Sequence, residues 1–327
     1  MMTIREVAEL AGVSPAAVSR YMNGGPLSKE KRDRIAQAIS ETGYRPNLTA
    51  RTMRTGIVRQ IGVIAPRINS DSVSEIMAGI SETLGSHEYM PVLGNSDYRD
   101  LLELQYLDSM EMIRVAGIIL MGRGMTPQLE EALGKLKVPV VITGQDHPGY
   151  ACVFHDDFHA MRDLTCRMLE RGRRDLVYLG VTEEDPAAGL ARRRGVEAAV
   201  EQAGGGIRLR REITRFTAED GFRCMQAVLE DGCRPDGVLC ASDGIALGAM
   251  RALREAGIGI PGDASVAGIG DSWAGAVAAP PLTTVHFHYR ECGKTAAEML
   301  LSMIGQPEAP SDRRVMLGYT LIERGSI

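Results

Sequence analysis

The sequence has no run of about 20 uncharged apolar residues, so no segment is suited to span a bilayer as a helix. Arg5, Glu6 and Glu9 interrupt the first residues, which therefore lack the apolar core of a secretory signal. The six cysteines (Cys152, Cys166, Cys224, Cys233, Cys240 and Cys292) contain no C-x-x-C pair. Scattered and partly set in apolar runs, they read as reduced thiols, and the expected compartment is the cytoplasm. No G-x-x-x-x-G-K-[ST] motif and no nucleophile elbow occur, which removes P-loop kinases and serine hydrolases from consideration. No G-x-G-x-x-G follows the first strand-like run, and Gly204-Gly205-Gly206 and Gly268-Ile269-Gly270 read as turns, so a dinucleotide-dependent oxidoreductase is not expected either. Cofactors are expected to be none.

What is present is uneven in charge. The net charge of -5 is on its face unsuited to nucleic acid. Residues 1–58, however, carry nine Lys/Arg against five Asp/Glu, and the remainder carries 28 against 37. A small basic head on an acidic body is the pattern of a nucleic-acid-binding module attached to something else. At 327 residues, 44% apolar and 24% charged, the chain is ordinary in composition and long enough for two or three domains.

The head reads as three short helices. Thr3 and Glu6 form a T-x-x-E capping box that starts a helix at Ile4, and Ile4, Val7, Ala8 and Ala11 give it one apolar face. Gly12 supplies the turn. Ser14 caps a second helix with Pro15 at its first position, where a missing N–H does no harm. Val18 points inward, whereas Ala16, Ser19 and Arg20 do not. A third helix runs from a Ser28 cap through Ile35 and Ile39 to Gly43. Such a unit can be a helix-turn-helix or a three-helix interaction module with a solvated basic face. As a helix-turn-helix it would place its second helix in the major groove, with Arg20 in reach of guanine and Lys29, Lys31, Arg32 and Arg34 near phosphates.

From Gln60 the pattern alternates. Apolar runs at 61–65, 115–121, 138–143, 176–181, 237–241 and 265–269 read as buried parallel strands. Helical stretches at 72–86, 126–136, 158–171, 190–203, 218–231 and 243–256 lie between them. A repeated strand–helix unit builds a doubly wound sheet, and this much chain is better divided between two lobes than placed in one sheet.

Several motifs stand in order: Thr-Ile-x-x-Val-Ala-x-x-Ala-Gly-Val-Ser from Thr3, Val-Ser-Arg ending at Arg20, Gly-Tyr-Arg-Pro-Asn ending at Asn47, and Ala-Arg-x-Met-Arg ending at Arg54. CASDGIALGAMRALREAGI at 240–258, Pro281-Leu282-Thr283-Thr284-Val285 and Leu321-Ile322-Glu323-Arg324-Gly325 follow. Together they resemble the LacI/GalR family of bacterial repressors, over the whole chain. The resemblance implies a mixed α/β protein: an all-α helix-turn-helix headpiece plus a two-lobed periplasmic-binding-protein-like sensor with doubly wound parallel sheets. The implied domains are residues 1–46 for DNA binding, 47–58 as a hinge helix, and 59–327 for effector binding and dimerisation, with crossovers between lobes near Asp157, Val285 and Gln306. The implied partners are operator DNA, a small-molecule effector and a second copy of the chain; no leucine heptads follow that would build a tetramer. The implied DNA-facing residues are Thr3, Ser14, Pro15, Ala16, Ser19, Arg20 and Asn23 in the head, with Asn47, Arg51, Met53 and Arg54 in the hinge. Met53 would be the apolar wedge in the minor groove.

Ligands of open α/β sheets lie beyond the carboxyl ends of the strands. Polar residues there are Arg67, Ser70, Glu75, Gly122, Arg123, Gln145, Asp146, Asp185, Arg192, Ser242, Asp243, Asp271 and Trp273, and Tyr289 completes the set. Carboxylates, guanidinium groups and an aromatic face suit a polyhydroxylated ligand, a sugar or sugar phosphate. Asp157 and Asp243 fall at helix starts, where capping is the simpler role. Within the family, Arg67 with the Ser-x-Ser-Glu ending at Glu75, GYACVFHDD at 149–157 and RRDLVYLGV before Asp185 are most similar to trehalose-sensing repressors, which implies trehalose or trehalose 6-phosphate. Those repressors carry an Arg phosphate ligand where Gln145 stands; Arg123 or His147 could supply the charge instead. His155, Asp156, Asp157 and His159 have the composition of a metal site but straddle a strand end and a helix start, so a capped helix and no metal are expected. A glycosidase would need two carboxylates across one bond and no DNA-binding head. A transport binding protein shares the sensor fold but would carry an export signal. A regulator, not an enzyme, is expected.

Overall fold

The computed structural model describes residues 2–22, 24–44, 58–306 and 313–327. The chain divides into two units, Met1–Val58 and Arg59–Ile327. Asn23, Asn47, Arg51, Met53 and Arg54 lie outside the described residues, as does nearly all of the expected hinge at 47–58.

The first unit holds α1 (Ile4–Leu10), α2 (Pro15–Met22) and α3 (Lys29–Thr42). Its capping box is complete: the Glu6 N–H donates to Thr3 Oγ1 at 3.3 Å, and the Thr3 N–H to Glu6 Oε2 at 2.6 Å. Gly12 turns the chain at φ +59° and Gly43 ends α3 at φ +61°. Val7, Ala8, Ala11, Val18, Ile35 and Ala38 form the core, which is small because each helix offers it only one stripe.

The second unit contains two parallel sheets. In chain order the first lobe supplies β1 (Gln60–Ala65), α4 (Asp71–Ser86), β2 (Met90–Asn95), α5 (Asp100–Met112), β3 (Gly117–Met121), α6 (Pro127–Lys135), β4 (Val140–Thr143) and β5 (Ala151–His155). The second lobe follows with α7 (Asp157–Glu170), β6 (Asp175–Gly180), α8 (Arg192–Ala203), β7 (Arg208–Ile213), α9 (Ala218–Glu230), β8 (Gly237–Cys240), α10 (Asp243–Glu255), β9 (Ser265–Ala267) and the short α11 (Trp273–Val277). β10 (Thr284–Phe287), α12 (Tyr289–Met303), β11 (Arg314–Leu317) and β12 (Tyr319–Ile322) close the chain.

The sheet orders are β11-β5-β4-β3-β1-β2 and β7-β6-β8-β9, and β10 pairs antiparallel with β12. The first sheet is covered on both faces. Ile61, Val63 and Ala65 of β1 pack with α4 and α12, whereas Ile64 packs with Leu107 and Met110 of α5 and Leu129 and Leu133 of α6. This period of two explains why the strand reads as an unbroken apolar run. Leu176–Leu179 and Val238–Cys240 anchor the second lobe against α7, α9 and α10.

The chain passes between lobes after β5 at Asp157 and again between Phe287 and Tyr289, near the expected points. The third passage corrects the expectation at Gln306. After α12 the chain returns to pair β11 parallel with β5, and only beyond Gly318 does β12 join β10.

Candidate ligand-binding cleft and nucleic-acid interface

The carboxyl ends of both sheets converge on one cleft of about 490 Å³, within the size range of small-molecule sites. Arg67 follows β1, Gly122 and Arg123 follow β3, and Thr143 and His155 end β4 and β5. From the second lobe come Asp185 after β6, Phe216 and Thr217 before α9, and Ser242 and Asp243 after β8; Phe287 and Tyr289 come from the crossover.

A π-helical turn at Pro186–Ala191 precedes α8 and moves Arg192 into the second lobe's interior. Arg192 is buried, donates from Nε to Asp157 Oδ1 at 2.7 Å and from Nη2 at 2.6 Å, and also donates to the Ala241 carbonyl. Its guanidinium lies 5.5 Å from the centre of the Phe287 ring. Burial pushes the Asp157 carboxyl up, against the pull of Arg192. The same Phe287 ring stacks on His155 at 4.7 Å and 24°, while Tyr289 meets the imidazole edge-on at 5.2 Å. Burial, reinforced by the Arg192 charge, holds His155 down at about 4, so the ring is neutral near pH 7. Its Nε2 is buried without a partner, as are Thr143 Oγ1, Arg67 Nε and Arg123 Nε in the same cleft. Buried polar atoms cost free energy unless paired, so a cluster of them in a cavity wall is suited to a polar ligand.

Asp185 accepts from the Ala187 and Ala188 N–H groups at 3.0 and 2.8 Å. Asp243 accepts from Thr284 Oγ1 at 2.6 Å and from the Ser272 N–H at 2.7 Å. Burial raises both carboxyls above their ordinary range.

Of the expected effector set, Arg67, Gly122, Asp185, Arg192, Asp243 and Tyr289 line the cleft; Glu75, Gln145, Asp271 and Trp273 do not. Glu75 is exposed on α4, 3.9 Å from Arg290. Gln145 is buried behind Gly122, its amide nitrogen without a partner. Asp271 binds Arg324 at 2.5 Å and His286 at 3.0 Å, and Trp273 is 73% exposed on α11. His147 packs against Tyr150 rather than in the cleft. Asp157 and Asp243 are not the caps expected of them. Asp156 caps α7 by accepting from the His159 N–H, and Ser242 caps α10 by accepting from the Ile245 N–H. Of the four residues of metal-like composition, His159 Nδ1 lies 2.7 Å from Asp156 Oδ2, Asp157 pairs with Arg192, and His155 stacks on Phe287 with its Nε2 unpartnered. The sequence reading missed Tyr98, Thr143, Phe216 and Phe287. Tyr98 sits at φ +57° in a loop, stacked 6.4 Å from Phe216 of the other lobe.

In the head, Pro15, Ala16 and Arg20 are exposed on α2 and Ser19 is half-buried. Ser14 Oγ accepts from the Ala17 N–H at 3.3 Å. The Arg20 stem rests against Gly25, where a Cβ would stand 2.6 Å from Arg20 Cγ, and the guanidinium has no acidic partner among the described residues.

A small capped three-helix head with a two-lobed, cleft-bearing unit is the architecture of a ligand-controlled DNA-binding regulator. The profile of bacterial regulatory proteins of the lacI family matches residues 3–47, and that of the periplasmic binding protein-like domain matches 166–327. The HTH-type transcriptional regulator RegA of Clostridium saccharobutylicum is 31% identical over 99% of this chain and 98% of its own. The sucrose operon repressor of Staphylococcus xylosus is 29% identical over 93% and 94%. A crystal structure of the lac repressor bound to ONPG in the repressed state superimposes with a TM-score of 0.89 and 25% identity, covering 100% of this chain and 99% of that one. The chain belongs to the lacI family of bacterial regulatory proteins.

Proposed function

We propose that the protein is a sequence-specific repressor whose affinity for operator DNA is set by a sugar or sugar phosphate bound in the cleft. Residues 1–46 read the operator, 47–58 form the hinge, and 59–327 sense the effector and dimerise. The observation that carries this reading is the convergence of both sheets' strand ends on one polar cleft with unpartnered buried donors and acceptors. The sucrose repressor among its relatives supports a sugar. Trehalose and trehalose 6-phosphate are the first candidates, on the sequence likeness alone.

Thr3, Ser14, Pro15, Ala16, Ser19, Arg20 and Asn23 would face the operator, with Asn47, Arg51, Met53 and Arg54 at its centre. Pro15 and Ala16 cannot make bidentate base contacts, so direct readout rests on Arg20 and the remainder on shape and methyl contacts.

A homodimer fits a two-fold operator. Leu93 on edge strand β2, Leu101 and Met112 on α5, and Trp273 and Val277 on α11 are large apolar side chains left exposed, as surfaces covered by a partner are. The site of action would be the cytoplasm, where the operator is. Catalysis is not part of this reading.

A thermal-shift panel of sugars and sugar phosphates tests the proposal. At least one should raise the unfolding temperature of the wild type and lose that effect in Asp185→Ala. A panel without any shift in the wild type would remove the sugar from the account.

A further inference from the structure

We propose that the effector is an anionic sugar, its carboxylate or phosphate seated against Arg67 and Arg123 in the first-lobe wall of the cleft. The inference rests on the sugar reading above. Both arginines leave strand ends of the same sheet, and both guanidinium groups lie beside one ring, 6.0 and 5.9 Å from the centre of Tyr98. Two like charges gathered around one side chain repel each other unless an anion shares them.

The protein supplies that anion only in part. The half-exposed Asp100 pairs with Arg123 through Nη2, leaving its buried Nε without a partner. Arg67 has no carboxylate partner among the described residues, and its Nε is likewise buried and unpaired. Thr143, 1% exposed, adds a hydroxyl without a partner to the same wall. The amino end of α4 opens beside them. Its cap residue, Ser70, makes no side-chain cap bond, and Ser70 Oγ is engaged with Ser72 Oγ at 2.9 Å. First-turn N–H groups are therefore available to an anion. Three acids face this seat: Asp71, exposed at the first position of α4 and lining the cleft, and Asp185 and Asp97, both of which act on Tyr98.

The opposite wall has the opposite character. Asp185 and Asp243 are bonded by backbone N–H groups and a hydroxyl, and no cationic side chain is ion-paired to them. They can accept from sugar hydroxyls and would repel an anion, as would Asp71 on the first-lobe side, so the charged end of the ligand is directed to the two guanidinium groups. Gln145, buried outside the cleft, takes no part. A carboxylate and a phosphate make the same demand on this wall, and two guanidinium groups answer either with charge-assisted bonds.

Calorimetry on the full chain tests this with glucose, glucuronate and glucose 6-phosphate, trehalose with trehalose 6-phosphate, and inorganic phosphate alone. At least one anionic sugar should bind tenfold or more tightly than its neutral parent. The preference should fall to less than threefold in Arg67→Gln and in Arg123→Gln, while affinity for the neutral sugar is kept. Glucuronate against glucose 6-phosphate separates carboxylate from phosphate. Arg67→Gln removes no ion pair of the folded protein, so it remains informative if Arg123→Gln destabilises. Neutral sugars binding as tightly as anionic ones would overturn the anion seat and leave the sugar reading standing. A preference that survives in both variants, or no binding of any anion, would also overturn it. Inorganic phosphate binding that is lost in Arg67→Gln, with no sugar bound, would support the seat and defeat the sugar reading.

Discussion

Replacing Glu103 by Gln should stabilise the protein by an amount that grows with pH. Glu103 lies on α5 in line with Leu107 and Met110, on the face turned to the first sheet, and is 5% exposed. Burial alone moves its carboxyl from an ordinary 4.5 to about 7. No hydrogen bond or opposite charge enters to offset that burial. The folded state therefore holds a proton that the unfolded chain has released, and stability falls as pH rises from about 4.5 to about 7. At about 1.4 kcal/mol per pH unit, the cost above neutrality is about 3 kcal/mol. Glutamine keeps the shape without the ionisation. Urea unfolding followed by circular dichroism should show Glu103→Gln more stable by about 3 kcal/mol at pH 8 and by less than about 1 kcal/mol at pH 5. An equal difference at the two pH values would show that the carboxyl titrates normally and that its burial carries no such cost.

Asp157→Ala should cost about 3–5 kcal/mol in the same assay, because it leaves the Arg192 charge buried without its acid, and Asp157→Ala with Arg192→Leu should recover part of the loss; a double variant weaker than the single would refute the pairing argument. Gly79→Ala should be destabilising by about 1–3 kcal/mol or more, since its Cβ would stand 2.0 Å from the Arg290 carbonyl oxygen where α4 crosses α12. Gly85→Ala on the same helix meets nothing within 4 Å and should gain up to about 1 kcal/mol; equal unfolding midpoints for the two would contradict the packing described. Arg20→Ala should lose about 1–3 kcal/mol at the operator and less on random DNA, measured by anisotropy. Equal losses would reduce Arg20 to a phosphate contact.

The central strands and their helices were legible because burial on both faces writes continuous apolar runs, as in GIILM of β3 and VVIT of β4. Of the edge strands only β9 was. β7 reads RLRREI with partial exposure along its length, and β2 carries Pro91, which an edge tolerates and a sheet centre does not. β10 to β12 are four residues each, too short for a period to show. His155 was read at a strand end but weighed only as a metal ligand, and Phe287, on the unread β10, not at all. Arg67, Asp185 and Arg192 were found because they follow strands that could be read. Tyr98 enters the cleft through a left-handed loop conformation that no local pattern signals in a tyrosine. Asp157 and Asp243 were taken as caps because the sequence puts acids at both helix starts; the tertiary partners Arg192, Thr284 and Ser272 come from distant elements.

The central claim is that occupancy of the cleft controls operator affinity. Its most direct test is the dissociation constant for operator DNA, by fluorescence anisotropy at fixed salt, with and without a saturating amount of the sugar that gives the largest thermal shift. Allosteric coupling between two sites is typically worth about 5–150-fold, so a change of at least about tenfold is expected for the wild type and none for an Asp185→Ala variant that no longer binds the sugar. The same dissociation constant with and without bound sugar would contradict it.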